Sequence, residues 1–113
     1  MNIDAETGKK IQELQILEQN LQNMLIQKQA VQSELNEAEN ASSEIKKAKD
    51  EIYKIVGGIM LKSEKSVLSR EIEDKKNIFG LRVSSIEKQE KILEEKADKL
   101  RKEISEKLSL KKS

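Results

Sequence analysis

From Leu14 to Ile45, apolar residues recur at alternating intervals of three and four. The series is Leu14, Leu17, Leu21, Met24, Lys28, Val31, Leu35, Ala38, Ser42 and Ile45, and only Lys28 and Ser42 interrupt it. That spacing is the seam of a coiled coil. The positions between are mostly Gln, Glu, Asn, Lys and Ser, with Ile16, Leu25 and Ile26 as apolar exceptions beside the seam. So narrow a stripe satisfies one partner helix and cannot line a broad core. A second series follows at Ile72, Lys76, Phe79, Val83, Ile86, Glu90, Leu93, Ala97, Leu100 and Ile104. The patterns predict helices over about residues 8–47 and 64–108, then a polar tail over 109–113. Asp4 or Thr7 is placed to cap the first helix, and Ser63 or Ser66 the second. Lys46, Lys47 and Lys49 crowd the end of the first, where the helix dipole favours cations. Gly80 lies inside the second and weakens it locally by about 1 kcal/mol relative to alanine.

Composition agrees with this reading. Charged residues make up 38% of the 113-residue chain and aromatics 2%, with no proline and no cysteine. A globular core of this size needs more aromatic and apolar volume. Disorder fits poorly, because the net charge is only +1 and the apolar residues are periodic. One coiled-coil domain is the expectation.

The two seams match each other. Folding the chain about its middle puts Lys28 level with Glu90 and Ser42 level with Lys76, so polar interruptions meet polar interruptions. Leu21 falls level with Ala97 and Ala38 with Phe79, small against large. This favours an antiparallel hairpin within one chain over two chains zipped in parallel. The same folding puts Lys10 level with Lys107, and like charges there would loosen the coil. Ile3, Ile11, Leu108 and Leu110 then have no seam to enter. That end of the coil is expected to splay and expose them, although ordinary fraying of termini would have a similar effect.

Between the helices the sequence changes character. Ile52, Tyr53, Ile55, Val56, Ile59, Met60 and Leu61 flank Gly57-Gly58. A Gly-Gly pair between two such runs signals a two-residue β-hairpin, because both central residues of a type I′ turn need positive φ. A plain interhelical loop would also join the helices, but loops are rarely so rich in β-branched residues. A two-residue turn puts Val56 opposite Ile59 and Ile55 opposite Met60, so both faces near the turn are apolar. A lone two-stranded hairpin is marginal in water and its edges are unpaired. The coil seam has no surface to spare for it. Hairpins from several chains are therefore expected to pair, and closure into a barrel would remove the edges.

Several chemistries are disfavoured. Without histidine or cysteine the commonest bases, nucleophiles and transition-metal ligands are missing, so we expect neither an enzyme nor a bound metal or cofactor. Gly57-Gly58 is followed by no Lys-Ser/Thr and is no phosphate loop. The Lys-Lys pairs are isolated and offset by acids, and two aromatics make no base-stacking platform, so nucleic acid is not an expected partner. No apolar run reaches the roughly 18 residues of a membrane span, and the first residues do not look like a secretory signal. A soluble, cytoplasmic location is expected.

Ile52-Tyr-Lys-Ile-Val-Gly-Gly-Ile-Met-Leu-Lys62 resembles the hairpin stretch of the prefoldin family, (I/V)YK-x-(V/L)G-x-(L/V)-(L/I)-V-K, and in particular that of archaeal-type beta subunits. Gln27-Lys-Gln-Ala-Val-Gln-Ser-Glu-Leu-Asn-Glu-Ala38 is similar to the family's first-helix QKQ-x-(V/L)-x-x-(E/D)-LNEA, and the spacing from Ile72 through Glu87-Lys-Gln-Glu90 to Leu108 to its second helix. Gly80 and the short polar N-terminal arm depart from the pattern. The resemblance implies a heterohexamer of two alpha and four beta subunits with a double β-barrel body. It implies coiled-coil tips that hold unfolded polypeptides without ATP and pass them to a group II chaperonin. It assigns Ile52, Tyr53, Ile55, Val56, Gly57, Gly58, Ile59, Met60 and Leu61 to inter-subunit contacts. Client contacts at the tips would fall to Ile3, Ile11, Leu14, Ile104, Leu108 and Leu110. The competing expectation is a coiled-coil adaptor that self-assembles and binds one folded partner.

Overall fold

In the computed structural model, which describes residues 4–112 and their side chains as far as Ser109, the chain runs helix, hairpin, helix. Helix α1 spans Ala5–Lys47, strands β1 and β2 span Ile52–Val56 and Ile59–Ser63, and helix α2 spans Lys65–Lys112. The chain divides into two compact units, one joining residues 1–28 with 85–113 and the other comprising 29–84. Each helix contributes to both.

Helix α1 starts at Ala5 because Asp4 caps it: the Thr7 amide donates to Asp4 Oδ1 at 2.7 Å, satisfying one of the open donors of the first turn. Helix α2 follows Glu64, whose carbonyl accepts from the Leu68 amide. The expected caps do not mark its start: Ser63 closes β2 and Ser66 falls within the first turn. The C-terminal expectation is also corrected. Residues 109–112 continue α2, since that stretch holds no proline or glycine to break it.

Every one of the twenty seam positions is buried or half-buried, whereas Ile16, Leu25 and Ile26 are exposed. In the unit of residues 29–84, Ala38, Ser42, Ile45 and Val83 form the core. A polar layer crosses it: the Ser42 hydroxyl donates to Glu73 Oε1 at 3.0 Å, and Lys76 Nζ reaches the same oxygen at 3.3 Å. The ammonium of Lys65, at the start of α2, donates to the carbonyls of Lys46 and Ala48 at 3.3 and 3.1 Å. It thereby satisfies acceptors that the end of α1 leaves open.

In the other unit, Thr7, Ala97 and Ile104 are the buried residues among those described, Ala97 completely. Lys28 Nζ and Glu90 Oε1 lie 2.8 Å apart. Among the described residues, the end expected to splay holds buried side chains. Thr7 is 1% exposed, and Lys10 reaches Glu103 at 3.2 Å and Glu6 at 3.9 Å. The long lysine side chain turns an expected repulsion into a cross-helix ion pair. Thr7 Oγ1 finds no partner among the described residues.

Candidate functional site

The hairpin register is Ile52 with Ser63, Tyr53 with Lys62, Lys54 with Leu61, Ile55 with Met60 and Val56 with Ile59. Gly57 and Gly58 adopt φ of 56° and 80°, the left-handed region a type I′ turn requires. Because side chains alternate across a strand, Val56, Ile59 and Leu61 fall on one face, and Ile55 and Met60 on the other. All five are exposed, Ile55 to 72% and Met60 to 64%. Among the described residues these two strands form the only sheet, so both outer edges keep their backbone donors and acceptors open.

Polar contacts order the other end of the hairpin. The Tyr53 hydroxyl donates to Glu51 Oε2 at 2.6 Å, and Lys62 pairs with the other Glu51 oxygen at 3.0 Å. The Tyr53 hydrogen bond, seconded by Lys62, holds the Glu51 carboxyl below its ordinary value, and the same carboxylate raises the Tyr53 hydroxyl. Lys54 is bound to Glu71 of α2 at 3.0 Å. Ile52 and Lys54 are half-buried. The hairpin is thus anchored at its base and open around its turn.

The second set of candidate residues lies in the unit holding the ends of both helices. Leu14, Ile104 and Leu108 are brought together: with Arg101, Ser105 and Ser109 they line one open pocket. Ile104 is 9% exposed, so most of it belongs to the seam and only its edge reaches the pocket. Ile11 is half-buried. Ile3 and the side chain of Leu110 lie outside the described residues. Arg101 beside this pocket is held by Asp98 at 2.7 Å and by Glu18 and Glu94 at 3.5 Å.

Pattern reasoning missed a second groove in this unit. Ile16, Leu17 and Leu100 form its apolar lining, bordered by Glu13, Lys96, Lys99 and Glu103. Its signal in the sequence was Ile16, an apolar residue standing one position off the seam. Among the described residues no cluster of histidine, cysteine or carboxylate side chains is arranged to hold a metal ion. No helix there is long and apolar enough to cross a membrane.

Two antiparallel helical arms joined by an open β-hairpin define a class of coiled-coil hairpin proteins. The family model described as "Prefoldin subunit" matches residues 8–110, and the chain belongs to that family. It is 32% identical to the prefoldin subunit beta of Methanospirillum hungatei over 105 residues, covering 91% of this chain and 88% of that one. It is 41% identical to the prefoldin subunit beta of Saccharolobus islandicus over 58 residues, a match that spans 46% of that relative's length. The crystal structure of the prefoldin beta subunit from Thermococcus strain KS-1 matches with a TM-score of 0.89 at 34% identity, covering 95% of this chain and 96% of that one.

Proposed function

We propose that this protein is a beta-type subunit of a chaperone that holds unfolded polypeptides without ATP and delivers them to a group II chaperonin. The observation that carries the reading is the hairpin: a sheet with both faces apolar and both edges open, on a coil whose seam is already filled. In this reading, hairpins from four copies and two alpha-type subunits complete one another's edges in a closed body. Ile52, Tyr53, Ile55, Val56, Gly57, Gly58, Ile59, Met60 and Leu61 make those contacts. The coil ends hold the client: Leu14, Ile104 and Leu108 contribute from the pocket they share, and Ile3, Ile11 and Leu110 are assigned to the same contact by sequence. Each contact is weak, and several tips engaging one chain supply retention by multivalency. The work is done by binding alone, without catalysis, in the cytoplasm.

The test is suppression of aggregation of an unrelated unfolded protein by the full chain assembled with an alpha-type subunit. Suppression without nucleotide is expected, and Ile11→Ser with Leu108→Ser weakens it while leaving the mass of the complex unchanged. Absence of suppression by the wild-type complex refutes the chaperone reading. A stable dimer indifferent to the alpha-type subunit fits a self-assembling adaptor instead.

A further inference from the structure

The groove around Ile16 has properties the pocket at Leu14 and Leu108 lacks. Ile16 is a large apolar residue at 62% exposure, and Leu17 and Leu100 give it an apolar floor. The α2 wall carries Lys96, Lys99 and Glu103 at helical intervals of three and four, so the three share one face of the helix. One turn earlier on that face stands Ile92, 54% exposed. The strip therefore runs apolar, cationic, cationic and acidic along α2, with Ile16 beside it.

The charges on this strip are not equivalent. Glu103 is engaged by Lys10 at 3.2 Å, which neutralises the one acidic member of the α2 wall. Lys96 and Lys99 make no ion pair among the described residues, and Glu13 is the only unpaired acid at the rim. The groove thus offers an apolar floor under two free ammonium groups. From Ile92 to Leu100 the helix rises about 12 Å, a length covered by roughly four residues of extended chain.

We infer that this groove is a client subsite selective for extended segments in which apolar side chains alternate with acidic ones. The inference rests on the chaperone reading and deepens it by naming a segment chemistry. An apolar side chain settles on Ile16 and Leu100, and a carboxylate one or two residues away lies between Lys96 and Lys99. Basic segments are disfavoured because the ammonium groups of Lys96 and Lys99 outnumber the one unpaired carboxylate, Glu13. Such selectivity suits a holding protein: segments rich in apolar and acidic residues are retained, and release follows when the apolar contact is lost.

The experiment uses the full chain in its assembled form and two fluorescently labelled, unstructured peptides. One alternates leucine with glutamate and the other alternates leucine with lysine. Wild type is expected to bind the acidic peptide several-fold more tightly, with the preference shrinking as salt rises and surface charges are screened. Ile16→Ser is expected to weaken both peptides about tenfold. Lys96→Glu with Lys99→Glu is expected to reverse the preference while leaving helicity and mass unchanged, since all three side chains are exposed. Equal binding of the two peptides by wild type, or the same preference in wild type and the double variant, overturns the subsite. If neither peptide nor an unfolded protein binds wild type, the chaperone reading itself fails. If the wild type still holds unfolded protein while the subsite variants behave as it does, only the subsite fails.

Discussion

Lys28 Nζ and Glu90 Oε1 stand 2.8 Å apart, each on a seam that is otherwise mostly apolar. The hydrogen bond to Glu90 is the main cause that raises the Lys28 ammonium above its ordinary value, against some desolvation. Opposite charges at facing seam positions favour one register, because a slip would leave each facing apolar neighbours.

Lys28→Glu is expected to lower the melting temperature by placing two carboxylates in contact. Adding Glu90→Lys to that variant is expected to recover most of the loss. Circular dichroism melts of the three proteins check this; a double variant no better than Lys28→Glu contradicts the pairing.

Acid is expected to weaken the chain through Glu73. The Ser42 hydroxyl, and then Lys76, hold its carboxyl below the ordinary value. A folded value below the unfolded one contributes stability at pH above the unfolded value, about 4.3. That contribution is lost as pH falls towards and through the folded value. Melts between neutral and acid pH should show this loss in wild type and a shallower slope in Glu73→Gln.

The glycines divide by conformation. A Cβ at Gly80 meets nothing within 4 Å, and the helix runs through it, so Gly80→Ala is expected to stabilise by up to about 1 kcal/mol. Gly57 and Gly58 hold positive φ, and alanine at either costs about 1 kcal/mol or more. Urea titrations of Gly80→Ala and Gly58→Ala should move the midpoint in opposite directions.

Lys65 tests the join between the start of α2 and the end of α1. Its ammonium donates to the carbonyls of Lys46 and Ala48, and Lys65→Met is expected to cost about 0.5–1 kcal/mol. Unchanged urea stability would show that water satisfies those carbonyls equally well.

Much of this was legible in the residues. The 3-4 spacing named all twenty seam positions because side-chain direction in a helix follows from its period. Gly57-Gly58 named the hairpin and its turn because both residues of a type I′ turn need positive φ, whereas the register, which a slip of one residue would reverse, followed only if the turn held two residues. Helix ends were less legible: the start of α2 after Glu64 leaves no mark in residue preference, and its run to Lys112 reflects only the absence of breakers. Lys10 was misjudged because level was taken for contact, whereas a lysine side chain spans a helical turn to reach Glu103. The Ile16 groove was missed because a residue off the seam acquires meaning only when Lys96, Lys99 and Leu100 of the other helix are set beside it.

The central claim is that the exposed hairpin is an assembly element. Light scattering of the full chain mixed with an alpha-type prefoldin subunit tests it most directly. A single complex containing four copies of this chain is expected, abolished by Ile55→Ser with Ile59→Ser while helicity persists. A wild-type chain whose mass is unchanged by the alpha-type subunit, or a double variant that assembles like wild type, would contradict it.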